Sequence, residues 1–168
     1  MHPIIMVRLI AFSDTQNSIA HFADSIRRYG SFRAPQGVGR VSAVDARDVA
    51  AVAARVLTQS TTDNACLDLT GPEALSNQDI AAVLGRLLGR EIRYCDTEPG
   101  ETRATLVAQG LSAWLTDIVM ELYDLSSRGA AARVSPDVAA VLGRAPASFQ
   151  AFAADNVLHF HAGNAASK

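Results

Sequence analysis

A chain of 168 residues, 49% hydrophobic and 19% charged, is long enough to bury roughly two thirds of its unfolded surface in one domain. Its formal net charge of −2 gives no electrostatic reason to expect nucleic acid or an anionic membrane as partner. Lys168 is the only lysine, so lysine chemistry would fall to the last residue, where chain ends are usually mobile.

The N-terminal "MHPIIMVRLIAF" lacks a basic leader and a small-residue cleavage pattern, and Arg8 interrupts it, so it does not read as a signal peptide. No run reaches the ~18 apolar residues of a membrane span. The expected location is therefore the cytoplasm. Within that stretch, residues 5–11 read as a buried strand, apolar and β-branched. "TQNSIAHFADSIRRY" places Ile19, Phe22, Ala23 and Ile26 at helical spacing before Gly30, which predicts an amphipathic helix with a glycine stop. "SFRAPQGVGRVSAV" follows as an extended piece, a Pro/Gly turn and a strand near 41–44. Asp45 then stands as N-cap of a helix, with Asp48 three positions on, the spacing of a capping box.

"ACLDLT" predicts a strand near 66–70, and Gly71-Pro72 a turn after it. Ser76 with Asp79 is a second capping-box signal. It opens a helix whose Ile80, Val83, Leu84, Leu87 and Leu88 line one face until Gly89. "EIRYC", residues 91–95, is again strand-like. Beyond Pro99 the chain turns helical: residues 101–109, a long helix in "LSAWLTDIVMELYDLSS", a start at Ser135-Pro136-Asp137 with proline first, and a last helix over 148–160. The tail "HAGNAASK", 161–168, is expected to be disordered, leaving residues 1–160 as a single partial domain. The hexapeptide "AAVLGR" occurs at 81–86 and at 139–144, and without a repeat period it reads as convergence on one helix ending.

Few of these residues suit chemistry by themselves. A dinucleotide cradle needs glycines between a strand and a helix N-terminus. "GVGRVS" instead follows a turn and precedes a strand, whereas in "LTGPEAL" Pro72 supplies no N–H and Glu73 would repel phosphate. His2, His159 and His161 sit near chain ends and His21 on a helix, which is poor placement for a catalytic triad. His159-x-His161 has only Asp155 nearby, too few ligands for a metal. None of Tyr29, Tyr94 and Tyr123 has a lysine four positions on. Cys66 and Cys95 have neither the number nor the spacing of a disulfide framework or zinc site. No catalytic residue is predicted. The candidates for a pocket are Phe12, Asn17, Phe22, Trp114 and Tyr123, because ligand clefts are largely aromatic-lined.

The blocks "ADSIRRYGSFRAPQGVGRVSAVDARDVAAVAARVLT", "LDLTGPEALSNQDIAAVLGRLLGREIRY" and "GLSAWLTDIVMELY", in that order, resemble the C-terminal half of NmrA-like atypical short-chain dehydrogenase/reductases, especially the bacterial quinone and azo-dye reductase branch. The resemblance covers nearly all of residues 8–155. It implies an α/β fold, the C-terminal portion of a Rossmann-like architecture with few short strands and a mostly helical substrate lobe. In the complete family fold NADP or NAD is bound by a glycine-rich N-terminal half. No cofactor is expected on residues 1–168 alone.

The resemblance further implies that Phe12 and Asn17 face the cofactor and that Phe22, Trp114 and Tyr123 face a small planar acceptor such as a quinone. The expected partners are that acceptor and either a second copy or a companion N-terminal half, with no nucleic acid and no membrane. The family also contains NAD(P)-sensing regulators without enzymatic activity. An association module without activity is the remaining alternative.

Overall fold

The computed structural model describes residues 5–9, 16–58 and 65–161. The expected strand at 5–11 forms as β1, Ile5–Leu9, and the expected amphipathic helix as α1, Gln16–Tyr29. Gly30 ends α1 at φ 64°, the left-handed conformation that glycine adopts without strain. β2, Ser31–Ala34, is the piece read as extended. β3 is only Arg40–Val41, shorter than the strand expected near 41–44. The reason lies just beyond it: Ser42 turns its N–H and its hydroxyl to the Ala131 carbonyl instead of to a neighbouring strand.

α2, Ala46–Thr58, starts where Asp45 was expected to cap it, but the reciprocal box does not close. The Asp45 carboxylate accepts the Arg47 N–H at 2.8 Å. The buried Asp48 carboxylate is taken by Arg144 Nη2 at 2.6 Å and the Ala147 N–H at 2.7 Å. A contact 96 residues away in sequence has displaced a local one. β4 is Ala65–Leu69, β5 is Leu75–Ser76, and α3 is Asn77–Leu88. At α3 the capping box does form between Ser76 and Asp79, and Gly89 closes the helix in the left-handed conformation.

β6, Arg93–Asp96, leads into α4, Pro99–Ala108, and α5, Ala113–Ser127. α6, Asp137–Leu142, starts one residue later than expected, with the Asp137 N–H on the Ser135 hydroxyl at 3.3 Å. The single last helix expected over 148–160 is two, α7, Phe149–Asp155, and α8, Val157–Phe160. Asn156 breaks it at φ −111°, its side-chain amide bonding the Phe152 carbonyl at 2.9 Å, the local competition that makes asparagine a helix breaker. Residues 162–168, most of the expected disordered tail, lie outside the described residues.

The two copies of "AAVLGR" have different fates. Gly143 ends α6 at φ 71°, whereas Gly85 lies inside α3, where a β-carbon would stand 3.2 Å from the Arg90 carbonyl oxygen. Only the second copy is a helix ending, so the shared sequence does not have a shared role.

Among the described residues the strands pair in twos: β1 with β4 in parallel, β2 with β6 in parallel, and β3 with β5 antiparallel. The larger apolar core joins Ile26 of α1, Phe32 of β2, Leu84 of α3, Phe152 of α7 and Phe160 of α8. A smaller one gathers Val44, Val52, Leu69 and Val138, so α2 and α6 pack beside the carboxyl half of β4. The fold is α/β and dominated by helix; of the helices after β6, α4 and α5 pack on each other, whereas α6, α7 and α8 return to pack on α2, α3 and α1. No helix among the described residues is long and apolar enough to cross a membrane.

Several buried or paired carboxylates set the acid limit of this fold. Hydrogen bonding to Arg8 holds the Asp68 carboxyl below the usual carboxylate range, and hydrogen bonding to Arg47 does the same for Asp45. Backbone N–H groups of Ser76 and Gly37 do so for Asp79 and Asp96. Because each folded value is depressed, each contribution is complete above the unfolded value and is lost as pH falls through the folded one. Urea midpoints are therefore expected to be flat from about pH 6 to 8 and to drop below about pH 4. A midpoint unchanged at about pH 3 would contradict this assignment.

Candidate functional site

Parallel sheets bind ligands beyond the carboxyl ends of their strands, and here the carboxyl end of β4 runs into a buried polar knot. Thr70, with no exposed surface, accepts the Ser135 N–H at 2.9 Å and donates to the Gly71 carbonyl at 3.1 Å. The Ser42 hydroxyl lies 2.6 Å from the Arg133 carbonyl oxygen and 3.1 Å from that of Ala131. Together they fasten the segment following α5 over the end of β4. Small hydroxyl residues suit this place because a buried backbone carbonyl or N–H must find a partner, and serine and threonine supply one within a side chain's reach.

The same geometry settles what "LTGP" does. A β-carbon on Gly71 would stand 2.2 Å from the Ala43 carbonyl oxygen, and the Gly71 N–H already donates to the Ser42 carbonyl at 3.0 Å. Pro72 lacks an N–H and that of Gly71 is taken, so neither residue at the apex of the turn can donate to a phosphate. "GVG" is engaged likewise. The Gly37 N–H donates to Asp96 Oδ1 at 2.9 Å and the Gly39 N–H to the Gln36 carbonyl at 3.0 Å. A carboxylate sits where a cradle would hold phosphate.

Behind this loop the Tyr94 hydroxyl lies 2.7 Å from the Ala34 carbonyl oxygen and 2.8 Å from Asp96 Oδ1, and it accepts the Gln36 N–H at 3.3 Å. Burial and the neighbouring Asp96 push its pKa up to about 12. The phenol thus stays protonated at neutral pH and acts as a tie between β6 and the 35–39 loop.

The face of the β1–β4 pair carries Arg8 and Asp68 directly opposite one another in register. Arg8 grips the buried Asp68 carboxylate with Nε at 2.6 Å and Nη2 at 2.8 Å, and Arg133, from the fastened segment, reaches the same carboxylate at 3.1 Å. Asp137 of α6 accepts the Asp68 N–H at 2.7 Å. Strand, helix and lobe segment therefore meet at one residue that pocket-oriented sequence reasoning passed over. The signal was present only as an Asp inside an apolar strand, which demands a buried partner.

Of the residues expected to face cofactor, Phe12 lies outside the described residues, and Asn17 falls in the first turn of α1, where side chains are outside them too. Phe22 is half-buried with its ring centroid 4.7 Å from that of Phe32, at the border of the larger core. Trp114 is 73% exposed at the start of α5. Tyr123 is half-buried further along α5, and burial raises its pKa. Nine helical positions at about 100° each turn these two side chains to opposite sides of α5. They do not wall one cleft together. A separate polar cleft of about 320 Å³ is lined by Arg40, Glu73, Asp79, Arg86 and Gln150, and includes none of the five. Among the described residues no group of three His, Cys, Asp or Glu could hold a metal.

No family model matches the chain. Among individual proteins, the NAD(P)H azoreductase of Xenophilus azovorans is 37% identical over 141 residues, which is 84% of this chain and 49% of that protein. The chain is related to the C-terminal half of the NmrA-like reductases. An uncharacterized oxidoreductase of Bacillus subtilis, 32% identical over 81% of the chain and 48% of its own length, matches the same kind of share. The NmrA-like half seen here thus spans about half the length of the curated relatives it matches.

Solved structures agree on the fold. The NADPH-dependent quinone oxidoreductase of Escherichia coli in complex with NADPH superposes with a TM-score of 0.78 at 22% identity, covering 88% of this chain and 52% of that one. The triphenylmethane reductase of Citrobacter sp. in complex with NADP(H) gives 0.72 at 21%, covering 86% and 48%. The Rossmann-like reductase architecture implied by the sequence blocks is therefore the observed one.

Proposed function

We propose that this chain is the substrate lobe of a cytoplasmic NAD(P)H-dependent oxidoreductase that reduces a small planar acceptor such as a quinone. Residues 1–160 act as one partial domain, and the dinucleotide is held by a glycine-loop half supplied from outside residues 1–168. The observation that carries this reading is the Ser42–Thr70–Ser135 knot, which fastens the lobe over the carboxyl end of a parallel strand, where such folds take their ligands. Similarity to the azoreductase over most of the chain supports it. The bound dinucleotide would supply the hydride, and the lobe would orient the acceptor and exclude water. Phe12 and Asn17 are proposed to face the nicotinamide and Phe22 and Tyr123 to contact the acceptor, while Trp114, on the opposite side of α5, reports on that binding from across the helix.

Two titrations test this. With no credible pyrophosphate cradle in the chain, nicotinamide-side contacts must offset several kcal/mol of lost translational and rotational freedom, so NADPH alone is expected to bind with a Kd weaker than about 1 mM. Micromolar binding in a calorimeter would overturn that division of labour. A soluble benzoquinone, in contrast, is expected to quench the fluorescence of Trp114, the only tryptophan, in a saturable way that Tyr123→Ala or Phe22→Ala weakens. Quenching that stays linear to the solubility limit would remove the acceptor site from this lobe.

A further inference from the structure

The polar cleft of about 320 Å³ opens between α3, the start of α7 and the β3–β5 pair. Its wall comes from these elements and the 73–74 segment, with no residue of the β1–β4 pair. One stripe of α3 forms the floor: Asp79, Ala82, Val83 and Arg86 recur at the spacing that shares a helix face. Ala74 and Ala82 are too small to fill the space above it.

Four charges ring this floor, and they are not equivalent. Arg40 is engaged, its Nη1 donating to the Ala74 carbonyl at 2.8 Å and pairing with Asp79 at 3.1 Å. Asp79 in turn accepts the Ser76 N–H at 2.9 Å and hydroxyl at 2.8 Å. Glu73 and Arg86 are both exposed, and among the described residues neither enters a hydrogen bond or ion pair. Glu73 stands on the segment that enters α3, just ahead of its N-cap Ser76, and Arg86 in the last turn. Seven helical positions carry the chain from Asp79 to Arg86, about 10 Å along the axis. The two unengaged charges therefore sit toward opposite ends of a floor of methyl groups.

We propose that this cleft binds a linear ω-amino acid, its ammonium on Glu73, its carboxylate on Arg86 and its methylene chain over Ala82 and Val83. Charge complementarity selects the class. A simple anion would meet Glu73 and Asp79, and a simple cation Arg40 and Arg86, whereas a zwitterion partners both free ends and leaves the total charge unchanged. A guanidinium takes a carboxylate through two parallel N–H donors. Length selects the member. A hydrogen bond of about 3 Å at each end leaves ligand charges roughly 5 Å apart, which four methylenes span and the single carbon of an α-amino acid does not. The inference does not rest on the reductase reading.

In isotope-labelled protein, 5-aminopentanoate is expected to shift the backbone amide resonances of Ala82 and Val83 saturably. The Kd should be about 1 mM, weak because both ion pairs are exposed. Pentanoate, pentylamine and glycine are each expected to bind about 5-fold more weakly or worse, the upper end for one exposed ion pair. Arg86→Gln is expected to abolish the preference over pentylamine and keep that over pentanoate, and Glu73→Gln the reverse. Neither side chain has a partner within the fold to lose, so both variants should fold as the parent does. Shifts that never saturate overturn the proposal. Equal affinities for the four compounds overturn it too, leaving an apolar hollow only. Preferences that survive both substitutions place the ligand elsewhere and overturn it as well.

Discussion

Replacing Phe32 with alanine is expected to remove about 3–5 kcal/mol of stability, the cost of emptying a large aromatic from a packed interior. Phe32 has no exposed surface, and its ring lies 4.7 Å from Phe22 and 5.6 Å from Tyr94, centroid to centroid. It joins α1, β2 and β6 at the centre of the larger core. A domain of this size has only about 5–15 kcal/mol in total, so the variant should lose a large share of its stability. Urea titration followed by circular dichroism reads this directly. A loss below about 1 kcal/mol would mean that the site collapses around the cavity, and that the aromatic cluster does not organise this part of the fold. Because Phe22 rests on Phe32, the same substitution also tests whether acceptor quenching depends on that support.

Gly71→Ala should cost about 2–4 kcal/mol and act through stability, with little direct effect on phosphate-containing ligands. Its added β-carbon would meet the Ala43 carbonyl oxygen at 2.2 Å and that carbonyl's carbon at 3.1 Å, both backbone atoms that cannot swing aside as a side chain can. Relief requires the 42–43 segment to move, which pulls on the Gly71 N–H to Ser42 carbonyl bond and on the Ser42 contacts to Ala131 and Arg133. The substitution therefore loosens the segment that closes over the carboxyl end of β4. Gly100→Ala is the control, since a β-carbon there meets nothing within 4 Å. Lying inside α4, it is expected to be neutral or to stabilise by up to about 1 kcal/mol. If Gly71→Ala folds as tightly as the control yet alters nucleotide binding, the turn is a ligand loop after all.

Local chemistry made most of the elements legible. The helix start at Ser76, glycine stops after α1 and α3, and short apolar strands at β1 and β4 each depend on residues within about one turn of one another, so neighbours in sequence suffice to specify them. Reading failed where a distant residue claimed a group that the local pattern had assigned. Asp48 looked like the closing half of a capping box and serves instead to hold Arg144 and Ala147, while "AAVLGR" carries its glycine into the middle of α3 because the Arg90 backbone packs there.

The candidate site divides along the same line. By itself the sequence determined that residues 1–168 carry no G-x-G-x-x-G pattern and no Tyr-x-x-x-Lys pair, because those devices need particular residues at fixed short spacing. Tertiary structure alone decided that Asp68 would join β1, the lobe segment and α6 through Arg8, Arg133 and its own N–H. It also decided that Thr70, Ser42 and Ser135 would fasten the lobe to the strand end, and that Trp114 would face solvent while Phe22 rests on the core. The physical reason is that a buried carboxylate or hydroxyl specifies only that it must find a partner. Which partner it finds depends on where chain closure brings residues that lie 60 to 90 positions away.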